Sequence, residues 1–393
     1  MTSSTGTVIE PLANLKLDRR LLTFILIGAG FGESILVALP GSEGWIVIDG
    51  AAPDKEPPAM TLLQRHWSNA SSIELLLLTH PHADHYAGFI KLLDDKKLGP
   101  AVKRIGCVSH YLGVSGGNVL GREVKALFEA IDIDDAEGWS ALGRARNALE
   151  RIRDEWLKHP ERIWQAVRGK RLAFDNDVSL RVLGPELAHV AAFFKAPDLA
   201  RRIHEQANDL SVVLELHFGV TRLLLGGDLP NERNGETVTS GWSHLCGTIP
   251  GLRGHTGYKV AHHASKEAIH LDVVSAQSHA RAWATTPYNK GEKLPRFESG
   301  NGVSQLHLHE SELLLTALPV GIRDQTPMPE RVRRADLEPA RVTTRGPLGR
   351  LGAAVADGPA WKSPPTECAW ALQFDDRGNT VARYRGDVAT MIV

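Results

Sequence analysis

The hydrophobic positions along the chain predict alternating strands and helices in two halves of similar make-up. Continuous or alternating apolar runs predict strands at residues 21–27, 35–39, 45–48, 73–78, 101–108, 171–174, 179–183, 258–261 and 280–285, with two more inside 208–230. Apolar residues at spacings of three and four predict helices at about 58–69, 86–95 and 186–206, and an amphipathic helical insert at about 122–168. We therefore expect an α/β (α+β) fold, in which two mixed sheets pack together with helices outside.

The same pattern suggests where the domain begins and ends. Residues 15–323 form the predicted catalytic domain, and its helical insert is broken near Gly138 and Pro160. Residues 324–365 are rich in Pro, Arg and Gly without periodicity, which predicts an irregular connector. Residues 366–393 predict a small C-terminal β-hairpin extension around Asp375–Gly378. The insert or this hairpin is a candidate contact for a protein partner or a homo-oligomer.

Composition and charge narrow the class of protein. Its 393 residues carry a net charge of −1, so no global basic field indicates nucleic acid, although a local patch could still bind it. Three widely spaced cysteines without a CxxC motif are typical of reduced thiols. The N-terminus lacks a signal-peptide pattern, and the apolar run at 21–27 is too short to span a bilayer. We expect a cytoplasmic enzyme that does not bind membranes.

The segment THPHADHYAG, residues 79–88, is the strongest chemical signal in the chain. It places His80, His82, Asp84 and His85 within six positions, directly after the apolar run at 73–78. Imidazole and carboxylate groups suit zinc, and also manganese or iron. His80 and His82, two apart on extended backbone, can chelate one ion, while Asp84 and His85 can hold a second. A histidine-rich surface turn is the alternative, but this combination rarely arises by chance.

Two further strand ends offer ligands for such a site. Asp228 follows Gly226-Gly227 at the end of an apolar run, where it is either a turn former or a carboxylate bridging two ions. His262 and His263 follow the strand at 258–261. Because adjacent strand residues point to opposite faces, one is expected to bind metal and the other to contact substrate.

The glycine-rich turn GAGFGES, residues 28–34, does not predict a dinucleotide site. The GxGxxG motif requires glycine at position 33, where the chain has Glu33, and no helical pattern follows.

Together, THPHADHYAG, LLLGGD and YKVAHHAS resemble the HxHxDH signature set of the metallo-β-lactamase superfamily. IGAGFGES before VIDG, NDLSVVL, GGD and HHAS are similar to its ComEC-like branch, and the resemblance covers roughly residues 20–290. It implies an αβ/βα sandwich of four layers with two metal ions at one edge. The chain departs from the branch pattern at Glu33, Ala51 and Ala264, where Asp, Gly and Gly are usual.

The resemblance implies a role for each matching residue. His80 and His82 would hold one ion, Asp84 and His85 the second, and Asp228 would bridge them. We assign His262 as the last ligand and His263, with Asp84, to catalysis, although the sequence leaves the choice within the pair open. Many members also carry a third histidine ligand for the first ion. Three histidines lie in the right interval, but none lies in a convincing motif: His110, His189 and His204.

These features predict a metal-dependent hydrolase in which a metal-bound hydroxide attacks the substrate. The expected cofactor is two zinc ions, with manganese or iron as alternatives. Asn208, Ser265 and Lys266 are candidate substrate contacts, although Ser265 could equally be a helix N-cap and Lys266 a solvated side chain.

The favoured substrate is a phosphodiester or similar ester, including DNA or RNA in a nuclease-like reaction. In support, cations lie near the candidate site in sequence: Lys259, Lys266, Lys290, Lys293 and Arg296. A small-molecule lactone, thioester, phosphocholine ester or cyclic nucleotide is the second possibility. A metal-binding scaffold without catalytic activity is the third.

Overall fold

The strands and helices of the computed structural model follow the predicted alternation closely. The structure describes residues 8–51, 56–112, 114–115, 118–119, 137–195, 199–232, 240–249, 252, 254–277, 280, 282–289, 293–296, 302–306, 312–319 and 367–392. The predicted connector at 324–365 and the start of the predicted insert, residues 122–136, lie outside these ranges.

The elements are named here in chain order. The strands are β1 (Ile9–Pro11), β2 (Leu22–Ile27), β3 (Ser34–Ala38), β4 (Gly44–Ile48), β5 (Ser72–Leu77), β6 (Ile105–Cys107), β7 (Val114–Ser115), β8 (Asn118–Val119), β9 (Ile163–Gln165), β10 (Arg171–Ala173), β11 (Val178–Gly184), β12 (Val213–Phe218), β13 (Thr221–Leu225), β14 (Gly257–Lys259), β15 (Ala282–Thr285), β16 (Leu313–Leu315), β17 (Ala369–Phe374), β18 (Thr380–Arg385) and β19 (Thr390–Ile392). The α-helices are α1 (Pro58–Arg65), α2 (Ala83–Asp94), α3 (Glu137–Lys158), α4 (Leu187–Phe194), α5 (Leu199–Gln206), α6 (Gly241–Thr248), α7 (Leu271–Ala276) and α8 (Gly302–Leu306).

Two large mixed sheets form the sandwich. The first has the strand order β1-β18-β17-β2-β3-β4-β5-β6-β9, and the second has β10-β11-β12-β13-β14-β15-β16-β19. Buried side chains of β2 and β17 in the first sheet share one apolar core with those of β13 and β15 in the second. The predicted fold, a metallo-β-lactamase-type sandwich, is confirmed.

Parallel strands in each sheet determine where the polar residues gather. In the first sheet β4, β5, β6 and β9 run parallel, and in the second β13, β14, β15 and β16 do. Parallel neighbours bring their carboxyl ends to the same edge of a sheet. Asp49 and Thr79 follow β4 and β5, while Asp228, His262 and Thr286 follow β13, β14 and β15.

The C-terminal hairpin is present as predicted, but it lies inside the sandwich rather than beside it. β17 pairs with β2 along its whole length, and β19 pairs with β16 of the other sheet. The Trp370 side chain is fully buried, and its indole N–H donates to the Leu315 carbonyl at 2.9 Å. The tail therefore joins both sheets, which corrects the expectation of a separate extension.

Two predicted helical spans differ from the structure in their boundaries. The span at 186–206 is two helices, α4 and α5, instead of one. In the insert, α3 begins at Glu137, so Gly138 lies in its first turn and does not break it, whereas the helix does end before Pro160. Leu149 and Ile152 of α3 are buried in the main core, so this helix is part of the domain's packing.

No helix within the described ranges combines the length and the apolar character that crossing a bilayer requires.

Candidate metal centre

The 79–88 turn connects β5 to α2 at the shared edge of the sheets. His82 occupies the N-cap position of α2 with extended backbone (φ −90°, ψ 151°), so the chain changes direction between His80 and Asp84. The glycine-rich turn packs directly against it. Gly32 has φ +76°, and a Cβ there would lie 1.9 Å from the carbonyl oxygen of Asp84, so this position requires glycine.

Four side chains from three elements converge beside this turn: Asp84, His85, Asp228 and His263. Asp228 Oδ2 lies 3.3 Å from His85 Nε2 and 3.9 Å from His263 Nε2. Asp84 Oδ2 lies 3.6 Å from His85 Nε2 and 3.8 Å from His263 Nε2. All four ligand atoms lie within 4.8 Å of one another. Atoms of this kind at such separations fit around one divalent ion.

The unsatisfied atoms of this cluster test whether a cation fits there. His85 Nε2, His263 Nε2 and Asp228 Oδ1 are buried and have no hydrogen-bond partner within the described ranges. Buried polar atoms are almost always paired, because an unpaired one loses its hydration without compensation. A divalent cation would satisfy both ring nitrogens, so the residues present fit a metal.

Asp49 orients two of the histidines through hydrogen bonds. Its Oδ2 accepts from the Thr79 hydroxyl at 2.7 Å and from His85 Nδ1 at 2.8 Å. Because the Thr79 hydroxyl hydrogen is donated to Asp49, His80 Nδ1 must donate to Thr79 Oγ1, 3.0 Å away. In its neutral form, each ring therefore carries its hydrogen on Nδ1 and presents a bare Nε2. Burial raises the pKa of Asp49, and the charge and hydrogen bond of His85 oppose this rise.

His263 is oriented in the same way by the second sheet. Its Nδ1 lies 2.8 Å from Thr286 Oγ1, and the Thr286 hydroxyl donates to Glu33 Oε2 at 2.9 Å. Glu33 in turn forms an ion pair with Lys259, which is fully buried and lies 3.8 Å from Asp228 Oδ1. The ring of Tyr288 stacks on His263 with centroids 5.1 Å apart.

Several of these supporting residues carry no sequence signal of their own. Asp49 follows a predicted strand, and Glu33 departs from the branch pattern, but neither position indicates a role at the site. Lys259, one of the cations near the site in sequence, is buried in an ion pair with Glu33. A polar residue directly after each of several parallel strands is the one signal that could have revealed Asp49 and Thr286.

His80 and His82 lie on the other side of Asp228. His80 Nε2 is 3.2 Å from His82 Nδ1 and 3.9 Å from Asp228 Oδ2. Two nitrogens bound to one zinc ion at tetrahedral angles would be about 3.4 Å apart. His82 Nε2 lies 3.3 Å from the His204 carbonyl, which leaves Nδ1 as its bare nitrogen.

The described contacts of the His80 and His82 rings include no ring nitrogen of the three candidate histidines. His110 packs on Phe194, and His189 lies beside His244. His204 is exposed and lines a cavity beside Asp84 and Asp228, but it contacts His82 through its backbone carbonyl.

Left-handed backbone separates the roles of His262 and His263. Three successive residues, His262, His263 and Ala264, have φ values of 46°, 52° and 56°. Such a run is costly for residues other than glycine. It turns His263 into the four-residue cluster, whereas His262 directs Nε2 towards Asn208 Nδ2 at 3.5 Å. The structure therefore brings His263, rather than His262, into the cluster.

Burial and neighbouring charges shift the pKa values of the clustered histidines and carboxylates in different directions. Burial lowers the pKa of His80 well below its usual value, with the positive charge of His85 adding to the effect. Burial also disfavours a charged His85, but the carboxylates of Asp228, Asp49 and Asp84 outweigh it and raise its pKa. Burial would raise the pKa of Asp84 and Asp228, yet the neighbouring histidines, His85 foremost, hold both below their ordinary range. Both carboxylates are therefore ionised at neutral pH, as metal ligands must be.

The candidate substrate contacts differ in position. Asn208 lines the metal-side cavity, which has a volume of about 320 Å³. Ser265 is buried, and its hydroxyl accepts from the Glu267 backbone N–H, so it is the helix N-cap of the alternative interpretation. Lys266 is exposed and lines an adjoining cleft rather than the metal-side cavity.

Comparison with known proteins supports the superfamily prediction. A family model described as the metallo-beta-lactamase superfamily matches residues 27–110, which include the whole 79–88 turn. This match is shorter than the span of about 20–290 over which the motifs resemble the superfamily. No curated protein matches the chain.

Solved structures with similarity to this chain include three named proteins. The metallo-beta-lactamase fold protein YhfI from Bacillus subtilis has 9% identity and a TM-score of 0.33, covering 67% of this chain and 85% of its own. Zinc-bound PqqB from Methylobacterium extorquens has 12% identity and a TM-score of 0.34, covering 72% and 84%. The diiron β-hydroxylase CmlA from Streptomyces venezuelae has 13% identity and a TM-score of 0.36, covering 66% and 44%. Similarity at this level does not assign a reaction.

Proposed function

We propose that this protein is a metal-dependent hydrolase of small phosphodiesters or related esters. The observation that carries the proposal is the buried convergence of Asp84, His85, Asp228 and His263, with bare Nε2 atoms on both rings. The ligand atoms are oriented, and neither Nε2 has a hydrogen-bond partner in the described part of the chain. Such an assembly is hard to explain as packing alone.

The ligands divide into two groups around Asp228. Asp84, His85, Asp228 and His263 would hold one ion, and His80 Nε2, His82 Nδ1 and Asp228 the other. We propose zinc for both because imidazole nitrogen and carboxylate oxygen suit it, with manganese or iron as the alternatives. A bound divalent ion would lower the pKa of water towards 7 and polarise a phosphoryl or carbonyl oxygen.

The chain's own residues would orient the reactants. Asp84 has the most exposed side chain of the four, at 13%, and it lines the cavity, so it is placed to accept a proton from the attacking water. Asn208 and His262 line the same cavity, and atoms on both lack partners within the described ranges: Asn208 Oδ1 and His262 Nδ1. We assign these two side chains to substrate binding.

The motifs GAGFGES, NDLSVVL and HHAS support membership of the ComEC-like branch and hence a phosphodiester. The environment of the cations favours a small substrate over nucleic acid. Lys259 is buried in an ion pair with Glu33, so it is not available to contact a phosphate backbone.

The test combines metal analysis with hydrolysis of bis(p-nitrophenyl) phosphate. Purified protein should contain divalent metal, and activity should disappear on chelation and return when zinc or manganese is restored. The variants Asp84→Ala and His82→Ala should lose turnover while circular dichroism shows an intact fold. Unchanged activity in both variants would refute the mechanism, and metal-free protein without turnover would favour a scaffold.

A further inference from the structure

A second, larger cleft adjoins the metal-side cavity. It has a volume of about 1030 Å³, and Asn208 and His262 line both spaces. These two residues therefore form a neck between the ligand cluster and the cleft. A substrate whose reacting group lies beside Asp84 and Asp228 would extend its remaining part past this neck.

Acidic side chains outnumber basic ones in the described lining of the cleft. Among these residues Glu205, Glu232, Glu267 and Asp272 contribute four carboxylates, and Lys266 contributes one ammonium group. All five residues are exposed. This charge distribution differs from that of the metal-side cavity, where the carboxylates face histidines.

Three carboxylates of the cleft are available to a ligand. Glu232, Glu267 and Asp272 form no ion pair within the described ranges, whereas surface carboxylates elsewhere do, as Glu155 does with Arg151 and Arg162. The neck supplies an independent observation that indicates a ligand. His262 Nδ1 and Asn208 Oδ1 are both buried at the junction without a hydrogen-bond partner in the described part of the chain.

We propose that this cleft binds the non-reacting part of the substrate and selects a primary amine or another hydrogen-bonding cation there. The inference rests on the proposed hydrolytic function and names the substrate class of the same site. Carboxylates make strong charge-assisted hydrogen bonds to an ammonium group. The described lining contains no Phe, Tyr or Trp, so it lacks the aromatic faces that recognise a quaternary ammonium group.

The same charges disfavour an anionic substrate. A pair of charges about 4 Å apart in water changes an equilibrium constant about fivefold. An ammonium substituent gains and a carboxylate substituent loses by this factor, so their kcat/KM values should differ by at least about tenfold. A polyanion such as DNA would meet the same repulsion at several phosphates.

The experiment uses three p-nitrophenyl phosphodiesters of similar size, with 2-aminoethyl, n-propyl and 2-carboxyethyl as the second substituent. The metal-loaded full-length protein should hydrolyse them in the order aminoethyl, propyl, carboxyethyl. The order should collapse in about 1 M salt, where the Debye length is about 3 Å. A single-stranded oligonucleotide and a choline ester are included as competing substrates.

Variants of the cleft identify the source of the selectivity. Glu232→Gln and Asp272→Asn should each reduce the ratio of kcat/KM for the aminoethyl ester to that for the carboxyethyl ester, by about threefold. Glu161→Gln, which removes an exposed carboxylate outside the cleft, should leave this ratio unchanged.

Each alternative outcome has a distinct meaning. Equal or faster turnover of the carboxyethyl ester, or preferred cleavage of the oligonucleotide, would overturn the inference while leaving the hydrolase intact. Preference for the choline ester over the aminoethyl ester would overturn the selection of a hydrogen-bonding cation. Failure to hydrolyse even the propyl ester would overturn the proposed function itself, and this inference with it.

Discussion

Two groups of histidine and carboxylate side chains in this protein have similar composition but different surroundings. The central cluster contains Asp84, His85, Asp228 and His263. The peripheral cluster contains Glu186, His189 and His244, which lie just before α4, in α4 and in α6.

The surroundings decide what each group can do. In the peripheral cluster, Glu186 already forms ion pairs with Arg168 and with His244 Nε2, at 3.2 Å for the latter. The Glu186 and His244 side chains are 29% and 17% exposed, whereas those of His85 and His263 are almost fully buried. The Arg168 guanidinium group therefore already neutralises the Glu186 carboxylate, as a metal ion would. Proximity of ligand-type atoms therefore does not define a metal site unless those atoms are buried, oriented and without other partners.

The largest effect is expected from Asp228→Ala, because Asp228 lies between the other residues of the central cluster and the pair His80 and His82. Metal content and hydrolysis should both fall to background, as measured by plasma mass spectrometry and p-nitrophenol release. Asp228→Asn, which keeps the side-chain volume, is the matched control for folding. A metal-replete, active Asp228→Ala protein would break the distinction between the clusters.

The next largest effect separates the adjacent histidines. His263→Ala should reduce activity by more than about a hundredfold, because even outer partners of metal ligands contribute 10–100-fold. His262→Ala should retain the metal and lose about tenfold or less, mainly in KM. Metal loss in His262→Ala but not in His263→Ala would show that the assignment is wrong.

Asp49→Asn tests the orienting hydrogen bonds. An amide at this position has one oxygen, so it cannot accept from the Thr79 backbone N–H as well as from the Thr79 hydroxyl and His85, as the two carboxylate oxygens do together. The hydrogen positions on His80 and His85 are then no longer fixed. Metal affinity should fall by about 10–100-fold, and excess metal should restore most of the activity. Competition with a fluorescent chelator measures the affinity, and an unchanged value would count against the hydrogen-bond argument.

Removing the peripheral cluster should have little effect. The double variant Glu186→Gln with His189→Ala should keep the wild-type metal content and its activity within about twofold. Its stability should fall by less than about 1 kcal/mol, since the ion pairs involved are partly exposed. Loss of one bound ion per chain from this variant would show that the peripheral cluster also binds metal.

The smallest effect is a dependence of stability on pH. Burial, and then the charge of His244, lower the pKa of His189 below its ordinary value. The unfolded chain therefore binds more protons, so this contribution is complete above pH 6.5 and is lost as the pH falls. After solvent screening it should amount to a few tenths of a kcal/mol. Denaturant melts at about pH 7.5 and pH 5.5 should show a smaller difference in His189→Gln than in the wild type.

Local patterns predicted the centre well. His80, His82, Asp84 and His85 are close in sequence, so their convergence needs only a strand, a turn and a helix, and each of these leaves a pattern. Asp228 was predictable because an apolar strand ends directly before it.

Features that depend on distant partners were not predictable in this way. The choice between His262 and His263 depends on left-handed backbone that their sequence does not favour. The pairing of β17 with β2 joins residues about 350 positions apart, and an apolar strand pattern does not specify its neighbour. The Glu33–Lys259 ion pair likewise links the two sheets, and the sequence around either residue does not indicate its partner.

Anomalous X-ray diffraction from zinc-soaked crystals would locate the bound ions and so test whether the central cluster is the metal site. The strongest peak should lie among Asp84 Oδ2, His85 Nε2, Asp228 Oδ2 and His263 Nε2, with a second between His80 Nε2 and His82 Nδ1. The position enclosed by Glu186, His189 and His244 should give no peak. A peak only at the peripheral cluster, or none within contact distance of Asp228, would contradict the account.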